Sequence, residues 1–356
     1  MVRYDSVAEQ TTYRASGVNV DEAERALRAV LPDILSTYQE PVVAGVGGFG
    51  ALFRAGFPGM ENPVLVSSID GVGTKSKTAA MAGLFEGLGY DIVNHCVNDI
   101  LCQGAKPLFF LDYFGACKLN VTIFEKVLKG AAEACKAVEM SLIGGETAEM
   151  PGVFHDDEFD VVGSIVGVVD YDKRLPRSKV RRGDVVIGIA SDGLHTNGHA
   201  LARRVLFEIN GLSVRDSLPG IDRSLGEELL IPHRCYFNSV YPMLNQSNGN
   251  GPSSIGAIAH ITGGGLYDNI PRILPSDASV VIDKRSWTPF PIFKHIQELG
   301  NISDGEMYRT FNMGVGMVLL VNRDDGKAVV EELQNRGERA ALIGEITIGS
   351  KEVKIV

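Results

Sequence analysis

The chain has 356 residues, 45% of them hydrophobic and 22% charged, an ordinary globular composition with room for two domains of about 100–200 residues each. Its net charge is −10, from 34 Lys and Arg against 44 Asp and Glu, which argues against nucleic acid or an anionic membrane surface as partner, because both need a basic face. The five cysteines form no Cys-x-x-Cys pair, and no apolar run nears the ~18 residues that span a bilayer. With no apolar signal core in residues 1–6, these features predict reduced thiols in a soluble, cytoplasmic protein with no membrane partner. Glycine is in excess, 41 residues against an average of about 7%, and it clusters. Such clusters predict backbone-built loops that hold an anionic ligand with amides, a few cations and a metal.

Residues 21–38 place Ala23, Ala26, Leu27, Val30, Ile34 and Leu35 at helical spacing behind Asp21 as N-cap, and Pro32 is expected to kink or split this helix. Residues 45–50 satisfy Gly-x-Gly-x-x-Gly. The helix a dinucleotide fold needs next, however, is cut off by Gly56, Pro58 and Gly59. A mobile loop using Gly47, Gly48 and Gly50 to close over a ligand fits better, with a plain surface turn as the simpler alternative.

The rest of the chain is organised around residues 64–75. A β-branched, apolar run from Val64 to Ile69 reads as a buried strand ending in Asp70. Gly71 and Gly73 free the backbone to turn, and Thr74 and Lys75 open a helix through Met81. A carboxylate, exposed amides, a hydroxyl, an ammonium and a helix N-terminus in six positions suit a metal-complexed polyphosphate. A strand–turn–helix corner with a capping Asp is the alternative.

Residues 90–104 predict a second helix with Ile92, Val93, Cys96, Val97, Ile100 and Leu101 inward; a solvated polar face is the simpler reading of Asn94, Asn98 and Asp99. Residues 107–115 form a strand too hydrophobic to be exposed, with Asp112 an oddity inside it, and such a strand needs cover on both faces, by helices or by another subunit. Residues 121–138 are an amphipathic helix. Residues 141–152 then repeat the earlier logic: a short apolar strand, Gly144 and Gly145, and the carboxylate Glu146 beside Thr147. If the two strands are neighbours, Asp70 and Glu146 meet at one sheet end where Asp99 could join them, and three carboxylates without His or Cys suit Mg2+.

A β-rich run at 159–169 closes the first half. The polar stretch 171–183, including Arg177 and Lys179, marks the boundary between domains at 1–172 and 173–356. In the second half, a strand at 184–190 leads through Ser191-Asp-Gly-Leu-His-Thr-Asn-Gly198 into a helix at 199–209. His195 and His199 have the spacing of a helical metal pair, but Gly198 argues against helix between them, so His195 is read as a phosphate or substrate contact. A flexible loop at 245–254, a strand at 255–261, the Thr262-Gly-Gly-Gly265 turn, a strand at 317–321, a helix at 327–336 and strands at 341–346 and 353–356 complete the chain.

Taken together, residues 47–52, 70–75, 97–99, 107–113, 144–152, 195–198, 261–265 and 307–316 resemble, in order, the motifs of the phosphoribosylformylglycinamidine cyclo-ligase (aminoimidazole ribonucleotide synthetase) family. The resemblance implies ATP-dependent closure of formylglycinamidine ribotide to aminoimidazole ribotide, with release of ADP and phosphate through an O-phosphorylated amide. It implies an N-terminal α/β domain whose sheet pairs across a homodimer, followed by a C-terminal α+β domain. It also implies Asp70, Asp99 and Glu146 as Mg2+ ligands and Asp99, His195 and Lys75 as catalytic groups. Gly47, Gly48, Gly50, Gly71, Gly73, Thr74, Lys75 and Asn197 would then bind ATP. Leu31 stands where family members often carry a lysine before the proline, which passes any such nucleotide contact to Arg25 or Arg28. Thiamine-phosphate kinase, of the same superfamily, is the alternative enzyme, and a silent nucleotide-binding scaffold is the alternative class. Two other branches of the superfamily need a loop cysteine in residues 45–50 or a C-terminal cysteine, and this sequence has neither.

Overall fold

The computed structural model describes residues 17–176, 180–245 and 254–356; residues 1–6, Arg177, Lys179 and residues 246–253 of the expected flexible loop lie outside them. The N-terminal half is built from α1 (Val20–Leu35), a small hairpin of β1 (Val42–Ala44) and β2 (Leu52–Phe53), β3 (Pro63–Gly71), α2 (Lys75–Ala82), α3 (Glu86–Leu101), β4 (Lys106–Ala116), α4 (Val121–Ala137), β5 (Ser141–Glu149) and β6 (Phe159–Asp170). Strands β3-β6-β4-β5 form one sheet in that order, antiparallel except for the parallel β4–β5 pair.

Along β3 the even positions, Val64 to Asp70, turn toward α3, while Leu65 and Ile69 are 65% and 68% exposed on the opposite face. This is the period-2 alternation of a sheet covered by helices on one side. The hydrophobic strand expected at 107–115 is β4, with Phe110 and Phe114 buried on the helix side and Phe109 against Phe53 of the hairpin at 5.2 Å.

The C-terminal half carries β7 (Val185–Ala190), α5 (His199–Arg203) widening into a π turn at Arg204–Ile209, β8 (Ile255–His260), β9 (Ala278–Ile282), β10 (Val315–Val321), β11 (Ala340–Ile348) and β12 (Val353–Ile355). Its sheet order is β12-β9-β11-β7-β10-β8, antiparallel apart from β12–β9. Every residue of β10 is buried. Met317, Leu319 and Val321 join a core that extends to Ile92 and Phe110, whereas Val318 and Leu320 join a second core with Phe293 and Phe311. One apolar core therefore runs across both halves.

Three local expectations are corrected. Pro32 lies inside α1 without splitting it, since the helix runs on to Leu35 and the Ser36 amide donates to Pro32 O at 3.0 Å; Asn19, not Asp21, holds the N-cap position. Residues 144–146 are not a turn, because β5 continues through them. The glycines there permit close strand approach: a Cβ on Gly145 would lie 2.2 Å from Asp112 Oδ1. The polar side of α3 is not solvated, since Asn94 and Asn98 are buried.

Candidate active site

The polar side of α3 is the seam between the two halves. Asp91, Asn94 and Asn98 share one helix face by their i, i+3, i+7 spacing, and each bonds the segment 231–236 of the C-terminal half. Asp91 Oδ1 accepts from the His233 amide at 2.7 Å, Asn94 Nδ2 donates to His233 O at 2.7 Å, and Asn98 Nδ2 donates to Arg234 O at 2.8 Å. The Tyr236 amide returns a bond to Asn98 Oδ1 at 3.0 Å.

Lys75 is part of this seam, which corrects its expected place facing phosphate. Its side chain is fully buried, and its ammonium donates to Asp91 Oδ1 and to Ile231 O, both at 2.8 Å. Burial lowers the Lys75 pKa, partly offset by the Asp91 charge, and raises that of Asp91, so the two groups depend on each other. Freeing the lysine for a ligand would strand Asp91, and breaking such a buried pair costs about 3–5 kcal/mol.

One turn along, Asp70 and Asp99 approach the same imidazole. His95 Nε2 lies 2.8 Å from Asp70 Oδ2 and 3.9 Å from Asp99 Oδ2. The Gly71 amide donates to Asp70 Oδ1 at 2.7 Å, and Ser68 Oγ donates to Asp99 Oδ2 at 3.0 Å. Burial works against both carboxylates, but the hydrogen bond and charge of His95 at Asp70, and of His260 at Asp99, outweigh it and hold both below the ordinary carboxylate value. Asp70 keeps 40% of its side chain exposed and Asp99 29%, which leaves this acidic pair reachable.

From the pair a chain of polar contacts runs into the C-terminal half. His95 Nδ1 meets Thr196 Oγ1 at 2.8 Å, Thr196 Oγ1 meets His233 Nδ1 at 3.4 Å, His233 Nε2 meets His260 Nε2 at 2.8 Å, and His260 Nδ1 meets Asp99 Oδ1 at 2.8 Å. With the Asp70–His95 bond this makes five contacts needing five protons, while three neutral imidazoles and one hydroxyl supply four. The fifth belongs on His95: burial opposes its cation, yet the Asp70 hydrogen bond and the Asp99 and Asp70 charges raise its pKa above the ordinary value.

The turn after β7 brings His195 and Asn197 to the same seam. His195 adopts φ +63°, stacks on His233 at 3.9 Å, and its Nε2 accepts from the Asp192 and Arg234 amides at 3.4 Å. His195 Nδ1 and Asn197 Oδ1 are buried without partners. His199 does not pair with His195 as a metal ligand; its Nε2 donates to His195 O at 2.9 Å.

Glu146 is separated from this cluster, which corrects the expected triad. Asp70 pairs with Gly163, Gly163 with Asp112 and Asp112 with Gly145, so β3 and β5 are opposite edges of the sheet, about 14 Å apart at 4.7–4.9 Å per strand. Glu146 instead rims a cavity of about 380 Å3 between α1, α4 and β5, lined by Leu27, Ile34, Phe124, Asp112 and Gly145. Burial pushes the Asp112 carboxyl up to about 7. Gly47, Gly48 and Gly50 form the exposed tip of the β1–β2 hairpin, with Phe49 fully exposed beside them. Gly71, Gly73 and Thr74 lead into α2, with Gly73 at φ +63°.

Two family models match the chain: AIR synthase related protein, N-terminal domain, over residues 54–169, and AIR synthase related protein, C-terminal domain, over residues 181–356. The phosphoribosylformylglycinamidine cyclo-ligase of Geotalea uraniireducens is 45% identical over 97% of this chain and 98% of its own length. That of Brevibacillus brevis is 45% identical over 96% and 97%. The chain belongs to the phosphoribosylformylglycinamidine cyclo-ligase family. Among solved structures, thiamine-monophosphate kinase from Stenotrophomonas maltophilia K279a aligns with TM-score 0.67 at 17% identity, covering 94% of this chain and 96% of that one. A hydrogenase maturation protein HypE in complex with ATP aligns with TM-score 0.63 at 18% identity, covering 96% and 92%. At such identities these two share the fold, and the kinase alternative has no stronger support than that.

Within the cyclo-ligase frame, sequence reasoning missed His95, His233, His260 and the Lys75–Asp91 pair. His95 was within reach, because it lies one helical turn before Asp99. His260 ends β8 just before the glycine turn at 262–265, whereas nothing in the sequence joins His233 to either.

Proposed function

We propose that this cyclo-ligase family member closes formylglycinamidine ribotide to aminoimidazole ribotide, converting ATP to ADP and phosphate. The observation that carries this reading is the 45% identity over 97% of the chain to a protein of that name. Asp70 and Asp99 supply the chemistry at the seam. An amide oxygen leaves poorly, so transfer of the γ-phosphoryl group to it converts it into phosphate before the amidine nitrogen attacks. Such transfer needs positioning and charge neutralisation more than covalent machinery.

The donor set of the acidic pair fits Mg2+: two carboxylates, each held below the ordinary carboxylate value, and the Ser68 hydroxyl are hard oxygen ligands. Bound there, the ion would neutralise charge on the ATP phosphates. The amides at Gly71 and Gly73 and the start of α2 at Thr74 are proposed to face those phosphates, with the Gly47–Gly48–Gly50 tip closing over the nucleotide. The cavity beside α1, with its apolar walls and the Asp112 and Glu146 carboxylates, is proposed to take the base. Asn197 and His195, with their unpartnered polar atoms, are proposed to contact the ribotide.

We further propose domains at 1–172 and 173–356, a cytoplasmic location supported by five free thiols, and a homodimer. The dimer reading is supported by the uncovered face of the N-terminal sheet, where Leu65 and Ile69 are exposed. The test is to supply the purified chain with the formylglycinamidine ribotide and ATP. The expected result is aminoimidazole ribotide with ADP and phosphate in equal amounts. ATP consumption with thiamine phosphate and none with the ribotide would overturn the reading.

A further inference from the structure

Phe110, Asp112 and Phe114 share one face of β4 by the two-residue period of a strand, and the phenylalanines on either side of Asp112 are buried. The carboxylate between them opens on the cavity of about 380 Å3 bounded by α1, α4 and β5, where Leu27, Ile34 and Phe124 make the walls apolar. The neighbouring strand leaves room for it, since a Cβ on Gly145 would stand 2.2 Å from Asp112 Oδ1. Among the described residues no other side chain bonds this carboxyl, and burial, offset only by its own amide, pushes it up to about 7. A carboxyl held in that way lacks a donor, and a guest in the cavity can bring one.

The other groups around the cavity have the same bias. Glu24 of α1 and Glu146 of β5 stand exposed at its rim, and no Lys, Arg or His lines it. On α4 the Cys135 thiol feels the Asp112 charge, and β6 sets the uncharged Gly163 opposite Asp112. The charged lining therefore offers acceptors and no cationic donor.

We propose that Asp112 determines which base the cavity accepts: its carboxylate takes a hydrogen bond from the 6-amino group of adenine and turns away 6-oxo purines. The inference rests on the reading above that this cavity takes the base of ATP. The two classes of purine present opposite partners at the 6-position, an N–H donor in adenine and a carbonyl acceptor in guanine or hypoxanthine. Above about pH 7 both Asp112 oxygens are acceptors only, so a 6-oxo group meets them with no proton to share. Between apolar walls such an unmade bond weighs more heavily than it does in water.

The test is calorimetric binding of ATP and of ITP, each with Mg2+, to the full chain at pH 8, which does not depend on the ring-closing reaction. Wild type is expected to bind ATP at least about 10-fold more tightly than ITP. Asp112→Asn can turn an amide N–H toward a 6-oxo group, so it should tighten ITP binding and leave ATP, met by the amide oxygen, little changed. Asp112→Ser brings an O–H donor to the same place. It should narrow the preference in the same direction, which keeps the test decisive if Asp112→Asn fails to fold.

A merely structural role for Asp112 would weaken both nucleotides alike and leave their ratio unchanged. That result, or a wild type that binds ITP as tightly as ATP, would overturn the proposal. Ala23→Phe, which fills the cavity from α1, separates this failure from that of the cavity reading. Weaker ATP binding in Ala23→Phe with an unchanged ratio in Asp112→Asn would remove Asp112 alone. No effect of either variant would remove the base from the cavity and the proposal with it.

Discussion

Residues 64–75 and residues 141–152 look alike as sequence: an apolar strand, glycines and a carboxylate followed at once or shortly by a threonine. In the structure they differ in every respect that matters for chemistry. Asp70 ends β3 and is drawn into the seam by His95, while Glu146 lies within β5, exposed at the rim of a separate cavity. The glycines differ too. Gly73 supplies a positive φ where the chain turns into α2, whereas Gly145 removes a Cβ that would strike Asp112 in the neighbouring strand. A local motif states what the backbone does nearby. Which acids meet is decided by strand order, here β3-β6-β4-β5, which puts the two motifs at opposite edges.

The largest expected contrast is in stability. Lys75→Met keeps the stem but leaves the buried Asp91 carboxylate unpaired, and should cost about 3–5 kcal/mol in denaturant unfolding. Glu146→Gln, at an exposed position, should stay within about 0.5 kcal/mol of wild type. A Lys75→Met protein as stable as wild type would mean the seam does not rely on that pair.

In turnover, Asp70→Asn removes a charge from the proposed cation site and should cut ATP consumption at least about 10-fold with an altered Mg2+ dependence. Glu146→Gln should instead raise KM for ATP while leaving the Mg2+ dependence unchanged. An equal shift of Mg2+ dependence in both variants would bring Glu146 back to the acidic pair, delivered from the sheet of a second subunit.

The contrast explains what was legible in the sequence. Strands β3, β4, β6 and β10 and helix α4 were read nearly to their ends because continuous β-branched and apolar runs, or in α4 a helical apolar pattern, dominate them, although β3, expected to be buried, exposes Leu65 and Ile69. Asp70 and Asp99 were both singled out, and they meet at His95. Lys75 was misread because its partner Asp91 is sixteen positions away and its second partner, Ile231 O, belongs to the other half. Asn94 and Asn98 look like solvated residues until the segment 231–236 covers them. Polar groups that bind backbone across a seam carry no local signature.

The smallest effect concerns acid. Burial holds His199 down to about 3 from an ordinary 6.5, so the folded state keeps it neutral. Its contribution to stability is therefore complete above about 6.5 and is lost as pH falls toward 3. His199→Gln retains a donor for His195 O and cannot charge, so its acid-unfolding midpoint should move to lower pH, followed by circular dichroism. An unchanged midpoint would place the acid sensitivity at the other buried imidazoles.

The central claim is that the acidic pair at the seam serves phosphoryl transfer to the formyl oxygen of the ribotide. Direct attack by the amidine nitrogen would expel hydroxide and leave ATP without a chemical role. Substrate carrying 18O in the formyl group tests this most directly. The account predicts one labelled oxygen in each inorganic phosphate released; label recovered in water, with unlabelled phosphate, would contradict it.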